Sequence, residues 1–188
     1  MLKFFYIVII VILFSGCSMS SKNYYILSDT TPIQVIPISK TISSIGVANI
    51  ELPEYLLKEA IPTQEKSQKI SFSKSEFWGV AMDKELSNRL ISYLQKRFNM
   101  PAIYNYPWGV RGQKVDTKLY LKISHFIASG NIVYLDASWQ WIDNNGDTKS
   151  HLFSKKVEIK SENIKDIVKG MTKTFRFLEE SIASSMKI

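Results

Sequence analysis

The residue best placed to do chemistry in this chain is Cys17, its only cysteine, which follows Ser15-Gly16 at the end of an unbroken apolar run from Phe4 to Phe14. Lys3 precedes the run. A charged start, a short apolar core and small residues before a thiol form the pattern of a bacterial lipoprotein signal. The order has a chemical reason. The run partitions into the membrane, the small side chains let a protease reach the bond before the cysteine, and the thiol receives a diacylglyceryl group. Cys17 then becomes the lipid-bearing N-terminus. An uncut anchor is the competing reading, but a span needs about 20 apolar residues, and this run has the length of a signal core. Phe14 holds the place three before the cysteine where Leu, Val or Ile is usual. Ser18, in place of Asp, implies sorting to the outer membrane.

Other side chains able to do chemistry are sparse. His125 and His151 both fall in expected strands, without the His/Glu or His/Cys spacing of metal ligands. There is no Gly-x-Ser-x-Gly elbow, no P-loop and no Gly-x-Gly-x-x-Gly. Asp136 and Asp143 read as solvated strand residues. The chain is therefore read as non-enzymatic, with no metal site and no cofactor beyond the covalent lipid on Cys17. Aromatics carry more information. Trp139 and Trp141 share an apolar strand face and read as core, whereas Trp78, Tyr106 and Trp108 lie near element ends, where an aromatic either caps a core or anchors a partner. With Pro53 and Tyr55 they make up the candidate partner-binding residues, because a proline-stiffened backbone loses little entropy on docking.

Composition limits the alternatives. The 188 residues include 24 basic and 17 acidic side chains, a formal net charge of +7. Cleavage before Cys17 removes only Lys3 from that balance, and the remaining lysines are dispersed, as on a solvated face. No nucleic-acid-binding motif is present. With its single thiol consumed by lipid, the mature chain has no disulfide framework and must be stable through packing. Its length fits one domain. The expected organisation is a signal peptide at 1–16, a lipidated N-terminus with a short polar tether at 17–22, and one domain at 23–188.

Hydrophobic periodicity supplies the elements that must position these residues. Strands are expected at Tyr24-Tyr25-Ile26-Leu27, 44–50, 69–73 and 102–106. The stretch 52–68, with Pro53 and Pro62, reads as a loop with at most one helical turn. Leu86, Leu90, Leu94 and Phe98 at four-residue spacing mark an amphipathic helix over 81–98, with Asp83 as its candidate cap. Three longer strands follow. The first sets Leu119, Leu121, Ile123 and Ile127 on its buried side. The second, 132–142, places Val133, Leu135, Ala137, Trp139 and Trp141 on one side. Asn144-Asn145-Gly146-Asp147 turns the chain into the third, 148–160. A second helix over 162–186 carries Ile164, Val168, Met171, Phe175, Leu178, Ile182 and Met186 in one stripe, with Ser161 as N-cap. The economical fold is a single α/β domain, its sheet largely antiparallel or mixed, with two amphipathic helices packed on it.

Several of these pieces occur together in one known family. Tyr24-Tyr25-Ile26-Leu27, Ile45-Gly46-Val47, Leu52-Pro53-Glu54-Tyr55-Leu56, Phe77-Trp78, Met82-Asp83 and Tyr106-Pro107-Trp108, in that order, resemble the PqiC/YmbA-like ABC-type transport auxiliary lipoproteins. The chain departs from the family pattern at Lys58, where arginine is frequent, and at Gly79-Val80-Ala81, where Ala-Glu-Pro is common. The resemblance implies a lipoprotein at the periplasmic face of the outer membrane. Its implied partner is an MCE-type, periplasm-spanning protein of lipid or solvent-resistance transport, and self-association into a homo-oligomer is also implied. The alternative is a regulator of a peptidoglycan synthase. Such regulators carry a long disordered reach through the wall mesh, and residues 18–22 are short for that.

Overall fold

The computed structural model describes residues 21–39, 41–65, 67–107 and 114–186. The signal segment, Cys17 and Trp108 lie outside the described residues. In chain order the strands are β1 (Asn23–Tyr25), β2 (Ile45–Ala48), β3 (Ala60–Gln64), β4 (Ile70–Trp78), β5 (Ile103–Tyr106), β6 (Thr117–Ser129), β7 (Ile132–Asp143) and β8 (Thr148–Glu158). The helices are α1 (Met82–Phe98) and α2 (Ile164–Ser185), and a single 3₁₀ turn spans Glu54–Leu57.

Strand β6 organises the sheet. Along one edge it pairs antiparallel with β7, which pairs antiparallel with β8. Its other edge is shared. β2 runs parallel to the start of β6, with Ile45 opposite Thr117, and β3 runs parallel to its end, with Thr63 opposite Ala128. The sheet forks there: β5 continues from β2, while β4 and then β1 continue from β3. The result is an open, mixed, eight-stranded sheet and not a closed barrel. Both helices contribute their apolar stripes to the same core as the strands, including Leu86, Leu90 and Leu94 of α1 and Met171, Phe175, Leu178 and Ile182 of α2. That is the expected α/β arrangement, in its mixed form.

Strand alternation explains the core face. Val133, Leu135, Ala137, Trp139 and Trp141 of β7 are all buried, as their period of two requires. The two indoles donate from Nε1 to one acceptor, Ser185 Oγ, each at 3.0 Å, which ties β7 to the end of α2. In β6 the expected phase holds through Leu119, Leu121 and Ile123 and then fails. The register against β7 shifts between Ile123 and His125, leaving Ser124 unpaired in a bulge. Beyond it Phe126 and Ala128 take the core face. Ile127 is also buried, but on the side of Tyr134, its partner in β7. An inserted residue reverses every later side chain in a strand, and linear alternation does not reveal the insertion.

Three other expectations need correction. The stretch read as a loop contains β3, with Pro62 inside it. A proline is tolerated there because the β3–β4 register is irregular between Ala60 and Pro62, so the missing N–H falls where the ladder is already broken. Asp83 is not the cap of α1. Ala81 holds that position without a side-chain bond, and Asp83 lies in the first turn, where a carboxylate favours the helix dipole. On α2 the cap is Asn163, whose side chain accepts from Asp166 N at 2.8 Å, and Ser161 Oγ bonds Asp166 Oδ2 from outside. Asn99, in the left-handed conformation with φ 49°, closes α1 where the sequence ends it.

Candidate functional site

The candidate residues occupy separate places along the sheet. Pro53 opens the 3₁₀ turn, and its carbonyl accepts from Leu56 N at 2.9 Å. That turn buries Leu56 and aims Tyr55 at β6. Between the end of the β2 pairing and the start of the β3 pairing, the inner edge of β6 would face no strand. Glu51 covers part of the gap, donating its N–H to Leu121 O and accepting from Ile123 N. Tyr55 covers the next part: its hydroxyl accepts from Phe126 N at 2.9 Å. Its ring lies edge-on to His125, which in turn lies edge-on to Tyr134. The loss of water around the phenol raises its pKa. Tyr55 is half-buried and Leu57, two residues on, is exposed.

Tyr106 ends β5 and precedes Pro107 through a cis peptide bond. Its ring lies against Gly46 of β2, where an added Cβ would stand 2.9 Å from the Tyr106 Cβ, and Lys118 Nζ sits 5.0 Å from the ring centre. Glycine at position 46 is what lets the tyrosine lie across the strand pair. Trp78 is only 5 % exposed and belongs to the core, its backbone N–H bonded to Glu59 O at 2.7 Å. Tyr106 meets β6 near Lys118 and Tyr55 meets it at Phe126, eight residues and about 25 Å apart along a strand. The structure thus does not gather Tyr55, Trp78 and Tyr106 into one patch.

The histidines are also apart: His125 lies between two tyrosines, and His151 stacks on Trp139 at 5.1 Å. Among the described residues no three His, Cys, Asp or Glu side chains gather as metal ligands. On the sheet face turned away from the helices an open groove of about 600 Å³ is lined by Glu51, Tyr120, Lys122, Ser138, Gln140 and Leu152. Its acid and base pair with each other, Glu51 with Lys122. Such a surface suits contact with a partner better than chemistry on an enclosed substrate.

A buried charge network escaped the sequence reading. Glu179 is 1 % exposed and receives Arg89 Nη2 at 3.2 Å. Arg89 also donates to Leu27 O at 2.8 Å, and Arg176 donates to Pro32 O at 3.3 Å while facing Asp29 at 3.7 Å. Ile36 N bonds Arg97 O at 2.8 Å. These contacts fasten the proline-containing segment after β1 as a strap across α1 and α2. Burial pushes the Glu179 carboxyl up to about 7, against the opposing pull of Arg89 and Arg176. The signal was present: Glu179 lies four residues from Phe175 and three from Ile182, inside the apolar stripe, where a carboxylate requires a partner.

The fold and sequence pattern match known proteins over nearly the whole described chain. The family model described as the ABC-type transport auxiliary lipoprotein component matches residues 25–183. The chain belongs to that family. Among solved structures, a crystal structure of an uncharacterized protein superposes with a TM-score of 0.71 at 17 % identity, covering 89 % of this chain and 99 % of that one. Protein XCC0632 from Xanthomonas campestris superposes at 0.68 with 9 % identity, covering 87 % and 95 %. At such identities these likenesses speak for the fold alone. No curated protein matches the chain in sequence. As a transport auxiliary lipoprotein, the molecule has its Tyr55 and Tyr106 positions within the matched span, and Cys17 lies ahead of it.

Proposed function

We propose that this auxiliary lipoprotein is a non-enzymatic component of an MCE-type ABC transport system. In this reading it is held at the periplasmic face of the outer membrane by lipid on Cys17 and docks a periplasm-spanning partner protein. The observation that carries the reading is the family match across residues 25–183, which takes in both helices almost entirely and every strand from the end of β1 onward. A signal core ending at Ser15-Gly16-Cys17 supports the anchor. The separate placement of the histidines, and an open groove lined by a paired acid and base, support a surface that binds over one that catalyses. Docking is assigned to the Pro53–Leu57 turn with Tyr55, and to the Tyr106–Trp108 segment, with Trp78 supporting the first from the core. Self-association of the lipoprotein belongs to the same proposal.

Purification of the native lipoprotein from membranes, with identification of the proteins that accompany it, tests the reading. An MCE-type protein in the complex is the expected result. A peptidoglycan synthase in its place overturns the transport role in favour of wall regulation.

A further inference from the structure

The first strand of the fold carries an apolar, aromatic patch on the part of the chain nearest the proposed lipid. Tyr24 is 63 % exposed and Ile26 54 % exposed. In the parallel β1–β4 pair Tyr24 stands opposite Phe77, with ring centres 5.9 Å apart, and Lys22 Nζ lies 5.3 Å from the Phe77 ring. Gly79 brings the chain after β4 close beneath them: an added Cβ there would stand 3.3 Å from Ile26 Cγ2 and 3.8 Å from Tyr24 Cβ. Val80, next in the chain, is exposed as well. Asn23 and Glu76, one position earlier in each strand, point to the opposite side by strand alternation, with Asn23 Nδ2 bonded to Glu76 Oε1 at 3.1 Å. The patch itself therefore presents rings, branched aliphatics and one lysine. A contiguous group of this kind differs from single exposed apolar residues such as Val35, which any surface contains.

We infer that this patch, Lys22, Tyr24, Ile26, Phe77 and Val80, is a second membrane contact that lays the β1 end of the sheet against the lipid headgroups. The inference rests on the proposed acylation of Cys17. From Cys17 to Ser21, where the described chain begins, four residues span at most about 14 Å however they are arranged. β1 follows two residues later. A patch tied so closely to acyl chains meets the bilayer at high effective concentration, before any free partner does. Its chemistry fits that layer. Tyrosine has an apolar ring with a polar tip, lysine extends its charge toward phosphate, and interfacial segments place such residues about 5–10 Å into the boundary. The consequence is orientational: the acyl chains hold the protein on the membrane with or without the patch, and the patch fixes which end faces lipid. The sheet face carrying Leu152 is then left for proteins.

Because the anchor alone secures membrane binding, the test reads depth and not affinity. Nitroxide is attached to Ile26→Cys and Val80→Cys in the full acylated protein, reconstituted in vesicles of phosphatidylethanolamine and phosphatidylglycerol, with Leu152→Cys as control. Leu152 is 88 % exposed. The expected result is a severalfold fall in collision with a water-soluble nickel complex at positions 26 and 80, together with raised collision with lipid-soluble oxygen, while position 152 remains wet. Labels at 26 and 80 as accessible to nickel as at 152 overturn the inference. So does loss of access to both quenchers, which means that a second copy or another protein covers the patch. Intact mass of the same samples separates the two proposals. Acyl mass with wet labels rejects only the second contact, and absence of acyl mass rejects the anchor and this inference with it.

Discussion

Tyr55 does with a side chain what a strand would do with its backbone. At the fork, Phe126 N–H has no strand opposite it, and the phenol oxygen takes the place of a carbonyl. Tyr55→Phe keeps the ring and removes the acceptor, so a half-buried N–H loses its partner at a cost of about 1–2 kcal/mol. Urea denaturation should show that loss. If Tyr55 also docks a partner, Tyr55→Ala in protein that remains folded should weaken co-purification beyond what Tyr55→Phe does. Equal co-purification by the two variants assigns the residue to the fold alone. Proline-flanked tyrosine was legible in the sequence; the orphan N–H was not, since it exists only once β2 and β3 share one edge of β6. Glu179 makes a second prediction at this scale. Its carboxyl titrates at about 7 when folded, against an ordinary value of 4.5. The native state thus holds the proton more tightly than the unfolded chain. The stability this contributes is full below about pH 4.5 and is lost as pH rises through 7, amounting to at most about 3 kcal/mol at about 1.36 kcal/mol per pH unit of displacement. Glu179→Gln, which still offers Arg89 an oxygen, should flatten that part of the stability profile. An unchanged slope between pH 5 and pH 8 would mean that the pair is ionised throughout.

At the scale of elements, helices read more truly than strands. The stripes of α1 and α2 repeat every three to four residues over many turns, and an N-cap misplaced by two residues on each helix does not alter them. β3 was missed because Pro62 is a local signal against strand, overridden by pairing to β4 and β6 that no local window contains. The β6 phase was lost at Ser124 for the same reason. Packing of α2 gives two tests. Phe175 is fully buried and stacks on Phe126 with ring centres 6.3 Å apart, so Phe175→Ala should cost about 3–5 kcal/mol. A denaturation midpoint that barely moves would mean that the core closes over the space the ring leaves. Gly170 tests the opposite error. Alanine favours a helix interior over glycine by about 1 kcal/mol, yet a Cβ here would collide with Ile159 Cγ2 and stand 2.8 Å from Val133 Cγ2. Both are methyls of stiff β-branched side chains. Gly170→Ala should therefore be net destabilising, with overpacking of about 1–3 kcal/mol exceeding the helical gain. A raised melting temperature would show that α2 can lift from β7 without loss.

For the whole molecule, the order of parts along the chain matters as much as their packing. β1 lies at one limb of the forked sheet, and the strap that follows is clasped to both helices through Arg89, Arg97 and Arg176. Any pull from a lipid at Cys17 would enter at β1 and be shared at once with α1 and α2. An anchored domain needs such a start, since a loose first strand would peel under tension before the core resisted. The described core begins at Leu27 and ends at Met186, within the span that the family match covers almost entirely. Anchor and fold should therefore be separable. Cys17→Ser removes the thiol proposed to accept the diacylglyceryl group, so the variant should carry no acyl mass and should fail normal processing. Each buried methylene contributes about 0.8 kcal/mol, and two or three chains hold a protein where one does not; a chain lacking residues 1–17, which has neither acyl chains nor the Phe4–Phe14 run, should leave membranes in washes that retain the native protein. Its urea midpoint should match that of the native domain, because the buried cluster is unaltered. Co-purification with a membrane-bound partner should fall more than the affinity of the isolated pair, since anchoring supplies effective concentration in addition to contacts. A native protein whose intact mass shows no acyl group sinks the anchor, and a chain lacking residues 1–17 that keeps full membrane retention would place the attachment elsewhere in the chain.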